Sequence, residues 1–142
     1  MEQIDSNERE TGLETDPRFP SGPWTGYFLQ RLMPGRNWME LQLTFQNGRI
    51  RGEGRDRVGE FLMTGEYKLP DGTCTIWKQY VGRHQVTYSG YNEGKGIWGV
   101  WTIAAYGTGG FHIWPTAMRE PGEPSLTESV DLPVAEPEPI LV

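Results

Sequence analysis

The chain has 142 residues, enough for one domain with a real core and too few for two. Charge is divided unevenly: residues 22–115 carry ten Lys/Arg against seven Asp/Glu, about +3, whereas the flanks carry three against twelve, about −9. The net charge of −6 excludes the basic footprint of a nucleic-acid binder, and the single Cys74 excludes an internal disulfide. No apolar run approaches the roughly 18–20 residues of a helical membrane span.

The opening residues, MEQIDSNERETG, lack the basic start and apolar run of a secretory leader, so a cytoplasmic location is the expectation. Residues 1–21 are polar and acidic, with too little apolar surface to offset the entropy of ordering, and read as a disordered arm. Gly22-Pro23-Trp24 opens the domain, and residues 24–33 predict a first strand stopped by Pro34-Gly35. Next, Met39, Leu41, Leu43 and Phe45 alternate with Trp38, Glu40, Gln42 and Thr44, the period of a half-buried strand. Asn47-Gly48 then supplies the favoured pair for a two-residue type I′ turn. That turn pairs Gln46 with Arg49 and Phe45 with Ile50. Ile50, Gly52 and Gly54 then share the apolar face, while Arg49, Arg51, Glu53 and Arg55 lie outside.

Residues 60–69 predict the next strand, with Phe61, Met63, Gly65 and Tyr67 on one side, followed by a Pro70-Asp71-Gly72 turn. Strands over 73–81 and 84–91 follow, joined around Gly82-Arg83. Glu93 to Gly96 turns the chain into 97–104, and a Gly-rich loop from Tyr106 to Gly110 precedes a last strand ending in Ile113-Trp114-Pro115. Strands at this even spacing, with no helical period between them, predict an all-β fold: an antiparallel eight-stranded up-and-down barrel over 22–115. Residues 116–142, rich in Pro and Glu, predict a second disordered tail. Its closing Ile140-Leu141-Val142 reads as a frayed end or as a short apolar docking tag.

Several short motifs in this frame resemble the avidin/streptavidin family, within the wider calycin group of barrels. Gly22-Pro23-Trp24 resembles the Gly-x-Trp that begins strand one, and Thr64-Gly65-Glu66-Tyr67 is similar to the family's Thr-Gly-x-Tyr. Trp77-Lys78 looks like its Trp-Lys pair, Tyr88-Ser89-Gly90 like its Trp-Ser-Gly, and Ile97 to Trp101 like its Ile-x-x-x-Trp. The resemblance spans about residues 22–104. It implies a ligand pocket lined by Trp77, His84, Val86, Tyr88 and Trp101, with Gly54 and Asp56 contributing from the third strand, and it implies self-association. The departures argue against biotin. Gly54 stands where the family has a tyrosine, Val86 where it has a threonine, and its last-strand aspartate has no counterpart; each unsatisfied buried partner costs about 1–3 kcal/mol.

Which face of strand 73–81 points inward depends on the turn that follows. A three-residue loop Val81–Arg83 pairs Tyr80 with His84 and sends Lys78 and Tyr80 inward with Val86 and Tyr88. A two-residue Gly82-Arg83 loop instead sends Trp77 and Gln79 inward, and the family comparison favours this second arrangement. The residues taken for a ligand site are therefore Trp77, His84, Tyr88, Trp101 and Asp56. The functional expectation is a non-catalytic barrel that holds a small, mostly apolar or aromatic ligand in its mouth. Against it stands a solid barrel filled by those same rings, acting through its surface or tails on a protein partner; an isomerase- or cyclase-type enzyme is a third reading. His84 and His112 are the only histidines, and an inward His112 would suit a haem iron, although lone histidines are commonly rim or surface residues. Two histidines and one cysteine do not make a zinc site, and no cofactor, membrane or nucleic-acid partner is expected. Asp56, Glu60 and Glu66 show no paired-carboxylate spacing, and Cys74 has no recognisable base. Arg49, Arg51, Arg55 and Arg57 read either as an anion patch or as an ordinary solvated strand face.

Overall fold

The computed structural model describes residues 12–118 and 120–121. Eight strands follow one another without a helix among the described residues: β1 (Gly22–Gln30), β2 (Met33–Gln46), β3 (Arg49–Asp56), β4 (Glu60–Tyr67), β5 (Thr73–Tyr80), β6 (Gln85–Asn92), β7 (Ile97–Ile103) and β8 (Gly107–Pro115). Each pairs antiparallel with the next, and β8 returns to β1 to close an up-and-down barrel, as the strand spacing predicts. No helix in the described part is long and apolar enough to cross a membrane.

The β2–β3 hairpin takes the register dictated by its sequence. Phe45 faces Ile50 and Gln46 faces Arg49 across a turn whose Asn47 and Gly48 both have positive φ, at 50° and 78°. From this hairpin the inward parity runs through Ile50, Gly52, Gly54 and Asp56, and onward to Phe61, Met63, Gly65 and Tyr67 of β4. The inward glycines do not leave space. A Cβ on Gly52, Gly54 or Gly65 would fall 2.3 Å from a backbone oxygen of the neighbouring strand, and one on Gly99 2.1 Å from that of Ser89. They let the strands curl closely enough to close the barrel.

Two local expectations are corrected. Pro34-Gly35 does not end the first strand; the turn is Arg31-Leu32, and Pro34, Gly35 and Arg36 form a bulge opposite Leu29, between the Phe28–Asn37 and Gln30–Met33 pairs. Proline has no ladder donor to lose in a bulge, Gly35 takes φ 86°, and the buried Asn37 amide stitches the distortion by donating to the Phe28 and Met33 carbonyls. The Gly-rich segment 107–110 is strand rather than loop. A side chain at Gly109 would meet the Trp101 indole at 2.6 Å, so the glycine is what lets that ring lie inward.

Residues 12–21 also depart from the expected disordered arm. Leu13 bridges Gln46, Glu14 N–H donates to the Phe45 carbonyl, and Phe19 is 0 % exposed against Phe45 and Tyr67. Composition averages over the arm and misses one aromatic plug that closes the end of the barrel near the β2–β3 turn. At the other terminus Thr116 N–H donates to the Pro23 carbonyl, Met118 packs against the cluster of Tyr27, Trp98 and Trp114, and Glu120 pairs with Arg36 at 2.6 Å. The first residues of the expected tail are thus a strap over an aromatic cluster on the outer face of the barrel. The remaining tail expectations, over 1–11 and 122–142, including the tag at Ile140–Val142, lie outside the described residues.

Candidate functional site

The end of the barrel opposite Phe19 gathers four loops: Arg31-Leu32, Arg57-Val58-Gly59, Val81-Gly82-Arg83 and Ala104-Ala105-Tyr106. Its floor is set by the β5–β6 turn. The Tyr80 N–H donates to the His84 carbonyl, and the Arg83 N–H to that of Tyr80, so Val81–Arg83 is a three-residue loop with Gly82 at φ 71°. Lys78 faces Val86 and Ile76 faces Tyr88. The arrangement favoured by the family comparison is therefore reversed: Trp77 lies half-buried on the outer face between Thr64 and Thr87, and Lys78 and Tyr80 point into the barrel. The reversal is a one-residue slip, which exchanges the two faces of a strand.

An inward ammonium needs a partner, and it has one. The Lys78 and Asp56 side chains are both 0 % exposed, with Nζ 2.6 Å from Asp56 Oδ2. Nζ also donates to the Tyr88 hydroxyl at 3.1 Å and lies 3.3 Å from Met39 Sδ, while the Phe61 and Tyr80 ring centroids stand 4.3 and 4.5 Å away. Cation–π attraction compensates part of the lost hydration. The Asp56 carboxylate accepts from every side: the Tyr80 hydroxyl and Lys78 share Oδ2, while the Val58 and Gly59 N–H groups share Oδ1. It thereby ties the β3–β4 loop to the core. Burial pulls the Lys78 ammonium down to about 8, against the opposing pull of Asp56, and burial pushes both the Tyr80 and Tyr88 phenols well above their ordinary value.

Of the five residues taken for a ligand site, four come to this end or to the core beneath it and Trp77 does not. Asp56 anchors the floor. Tyr88 is fully buried, edge-on to Phe111, and Trp101 donates its indole N–H to the Leu29 carbonyl. Both rings belong to the packed core rather than lining an empty box. His84 sits at the rim, its ring 5.1 Å from that of Tyr80, and burial with the nearby Lys78 and Arg83 lowers its pKa. Its Nε2 is buried without a hydrogen-bond partner among the described residues. Gln30, 4 % exposed on the inward face of β1 at this end, has the same property: Oε1 accepts from the Leu32 N–H, which fixes the amide orientation, and Nε2 is left unpartnered. Arg57 completes the rim, donating to Asn37 Oδ1 at 3.0 Å.

Sequence reasoning weighed an inward Lys78 and Tyr80 but preferred the other loop, and it missed Gln30. The signal for Lys78 was available: the β2–β3 turn forces Asp56 inward, and a buried carboxylate requires a cation inside the barrel. Gln30 was hidden by placing the first turn too late. His112 faces outward, with Nε2 2.6 Å from the Lys95 carbonyl, so it is not the inward histidine a haem iron would need. Cys74 is buried, and burial pushes its thiol up to about 12, which removes thiolate reactivity. The β3 arginines alternate with acids across the ladder, Arg49 with Glu66 and Arg55 with Glu40 and Glu60, so the stripe is a mixed solvated face. An open groove of about 650 Å³ crosses the outside of β1–β4, between Thr25, Gln42, Glu53 and Leu62; no buried polar group converges on it. No group of three metal-ligating side chains occurs among the described residues. Comparison of the chain with protein-family models, with curated proteins and with solved structures gives no match.

Proposed function

We propose that the protein is a non-catalytic binding barrel whose ligand sits at the four-loop end, above the Lys78–Asp56 layer. The observation that carries this reading is the pair of unpartnered buried polar atoms, Gln30 Nε2 and His84 Nε2, at that end. A folded chain leaves few such groups, and each one left dry costs about 1–3 kcal/mol unless something meets it. The filled interior supports a ligand resting at the rim against Val58 and Tyr106 rather than one threaded through the barrel. Asp56 argues against acid–base work, because all its accepting capacity is spent on Lys78, Tyr80 and the β3–β4 loop. The avidin-like motifs favour the same use of the fold, although fold alone does not license function.

The test is a thermal-shift and tryptophan-fluorescence panel of small aromatic and apolar compounds on the full chain. A saturable response that is lost in His84→Ala, with the β-sheet circular dichroism unchanged, is the expected result. A panel without saturable binding would remove the reading. A second reading, a protein-interaction module, is favoured by one observation: Trp38, 47 % exposed, extends the outer aromatic cluster of Tyr27 and Trp114 beyond the strap that covers it. Loss of a captured partner in Trp38→Ala, with the panel silent, would select it.

A further inference from the structure

The charges at the two ends of the barrel differ in kind. Three of the four loops at the candidate site each carry an arginine, Arg31, Arg57 and Arg83, and none of the four carries an acid. All three arginines are exposed. The opposite end interleaves Glu14, Asp16, Asp71 and Glu93 with Arg18, Lys68 and Lys95. Among the described residues, the acids flanking Arg57 in sequence do not cancel its charge. Asp56 is neutralised by Lys78 in a contact of 2.6 Å, and Glu60 begins β4 on its exposed, outward face. Like charges around one rim add to a positive potential that draws anions to it.

The unspent hydrogen-bonding capacity agrees in sign. Gln30 Nε2 is a donor, because its Oε1 is held by the Leu32 N–H, and the group is almost fully buried on the inward face of the same end. His84 Nε2 becomes a donor in the tautomer, or the protonated form, that an acceptor would select. Lys78 offers nothing further, since its donors are spent within the floor. A ligand here meets donors and positive charge above, with aromatic and aliphatic surface from Tyr106 and Val58 around it.

We propose that the ligand of this barrel is a small carboxylate with an aromatic or apolar body, its head held at the Arg57–Arg83 rim by donors that include Gln30 Nε2. The proposal rests on the reading of the four-loop end as a binding site, and names the ligand class. Charge-assisted hydrogen bonds from guanidinium and amide groups are the strong ones, and a neutral amide of the same shape keeps the acceptor but loses the charge.

The experiment is isothermal titration of the full chain at low ionic strength with phenylacetate, phenylacetamide and benzylamine as probes. The expected order is phenylacetate tightest by about tenfold or more over phenylacetamide, with benzylamine silent. Arg57→Gln combined with Arg83→Gln should weaken phenylacetate by about ten- to hundred-fold, and Gln30→Met should weaken it without loss of thermal stability. The Gln30 variant tests the donor, because methionine fills the same volume and has no amide to leave unpaired. Equal binding of phenylacetate and phenylacetamide, or tighter binding of benzylamine, would overturn the carboxylate inference and leave the binding barrel standing. Failure of all three probes would also overturn it, and the wider panel then decides the binding reading separately.

Discussion

Replacing Asp56 with asparagine isolates the charge on which the barrel's floor depends. The asparagine Oδ1 can still accept from the Val58 and Gly59 N–H groups, so the β3–β4 loop keeps its tether, while Lys78 loses its only carboxylate. The buried ammonium is then left with the Tyr88 hydroxyl, Met39 Sδ and ring faces. Breaking a buried pair this way costs about 3–5 kcal/mol. An independent ceiling comes from titration: a lysine held neutral at pH 7 against its ordinary 10.5 costs about 5 kcal/mol, at about 1.4 kcal/mol per unit. The two estimates agree because deprotonation is the escape route. In the wild type burial brings Lys78 down to about 8, so it is largely charged at pH 7 in both folded and unfolded chains and contributes little slope there. In Asp56→Asn it is neutral when folded and protonated when unfolded. The unfolded state then binds more protons, and stability rises with pH by about 1.4 kcal/mol per unit between pH 7 and 8, below the range where the unfolded Cys74 thiol and tyrosines titrate. Urea denaturation across that range reads both numbers. A variant that loses less than about 1 kcal/mol, with a flat profile, would refute the buried-pair account.

The remaining predictions concern closure and packing. Phe19→Ala should cost about 3–5 kcal/mol, because the ring is fully buried beneath the barrel; a loss under about 1 kcal/mol in chemical denaturation would mean the arm is dispensable. Gly99→Ala puts a Cβ 2.1 Å from the Ser89 oxygen and should abolish the native dichroism and cooperative melt, whereas a folded variant would contradict the close strand approach. Cys74, with its thiol pushed up to about 12, should stay inert to a thiol reagent at pH 8 until denaturant is added; rapid native labelling would show the β5 face is not buried as described.

The barrel was legible because its local signals reinforce one another. The Asn47-Gly48 turn fixes a register, the register fixes the parity of β2, β3 and β4, and turns at even spacing leave little but a meander. What failed were features carried by one residue or one bond. Val81–Arg83 and Gly82-Arg83 differ by a single residue, yet they exchange Trp77 for Lys78 in the core, and periodicity cannot weigh them where both faces of β5 hold aromatic or apolar groups. Pro34-Gly35 looks like a turn in sequence and acts as a bulge because Asn37 satisfies the carbonyls it exposes. Phe19 is one apolar residue in a polar arm. The candidate site was half legible for the same reason: Asp56 follows from the hairpin parity, whereas Gln30 and the arginine rim appear only once the four loops are known to converge.

The central claim, that the four-loop end binds a ligand, is tested most directly by amide chemical-shift mapping of the full chain with phenylacetate or whichever compound the panel returns. The account predicts saturable shifts at residues 31–32, 57–59, 81–84 and 104–106, with the Gln30 side-chain amide among the largest. The end around Asn47-Gly48 and residues 68–72 should stay silent. Shifts confined to the outer groove at Thr25, Gln42 and Leu62, or to Trp38 and the strap that follows β8, would contradict it.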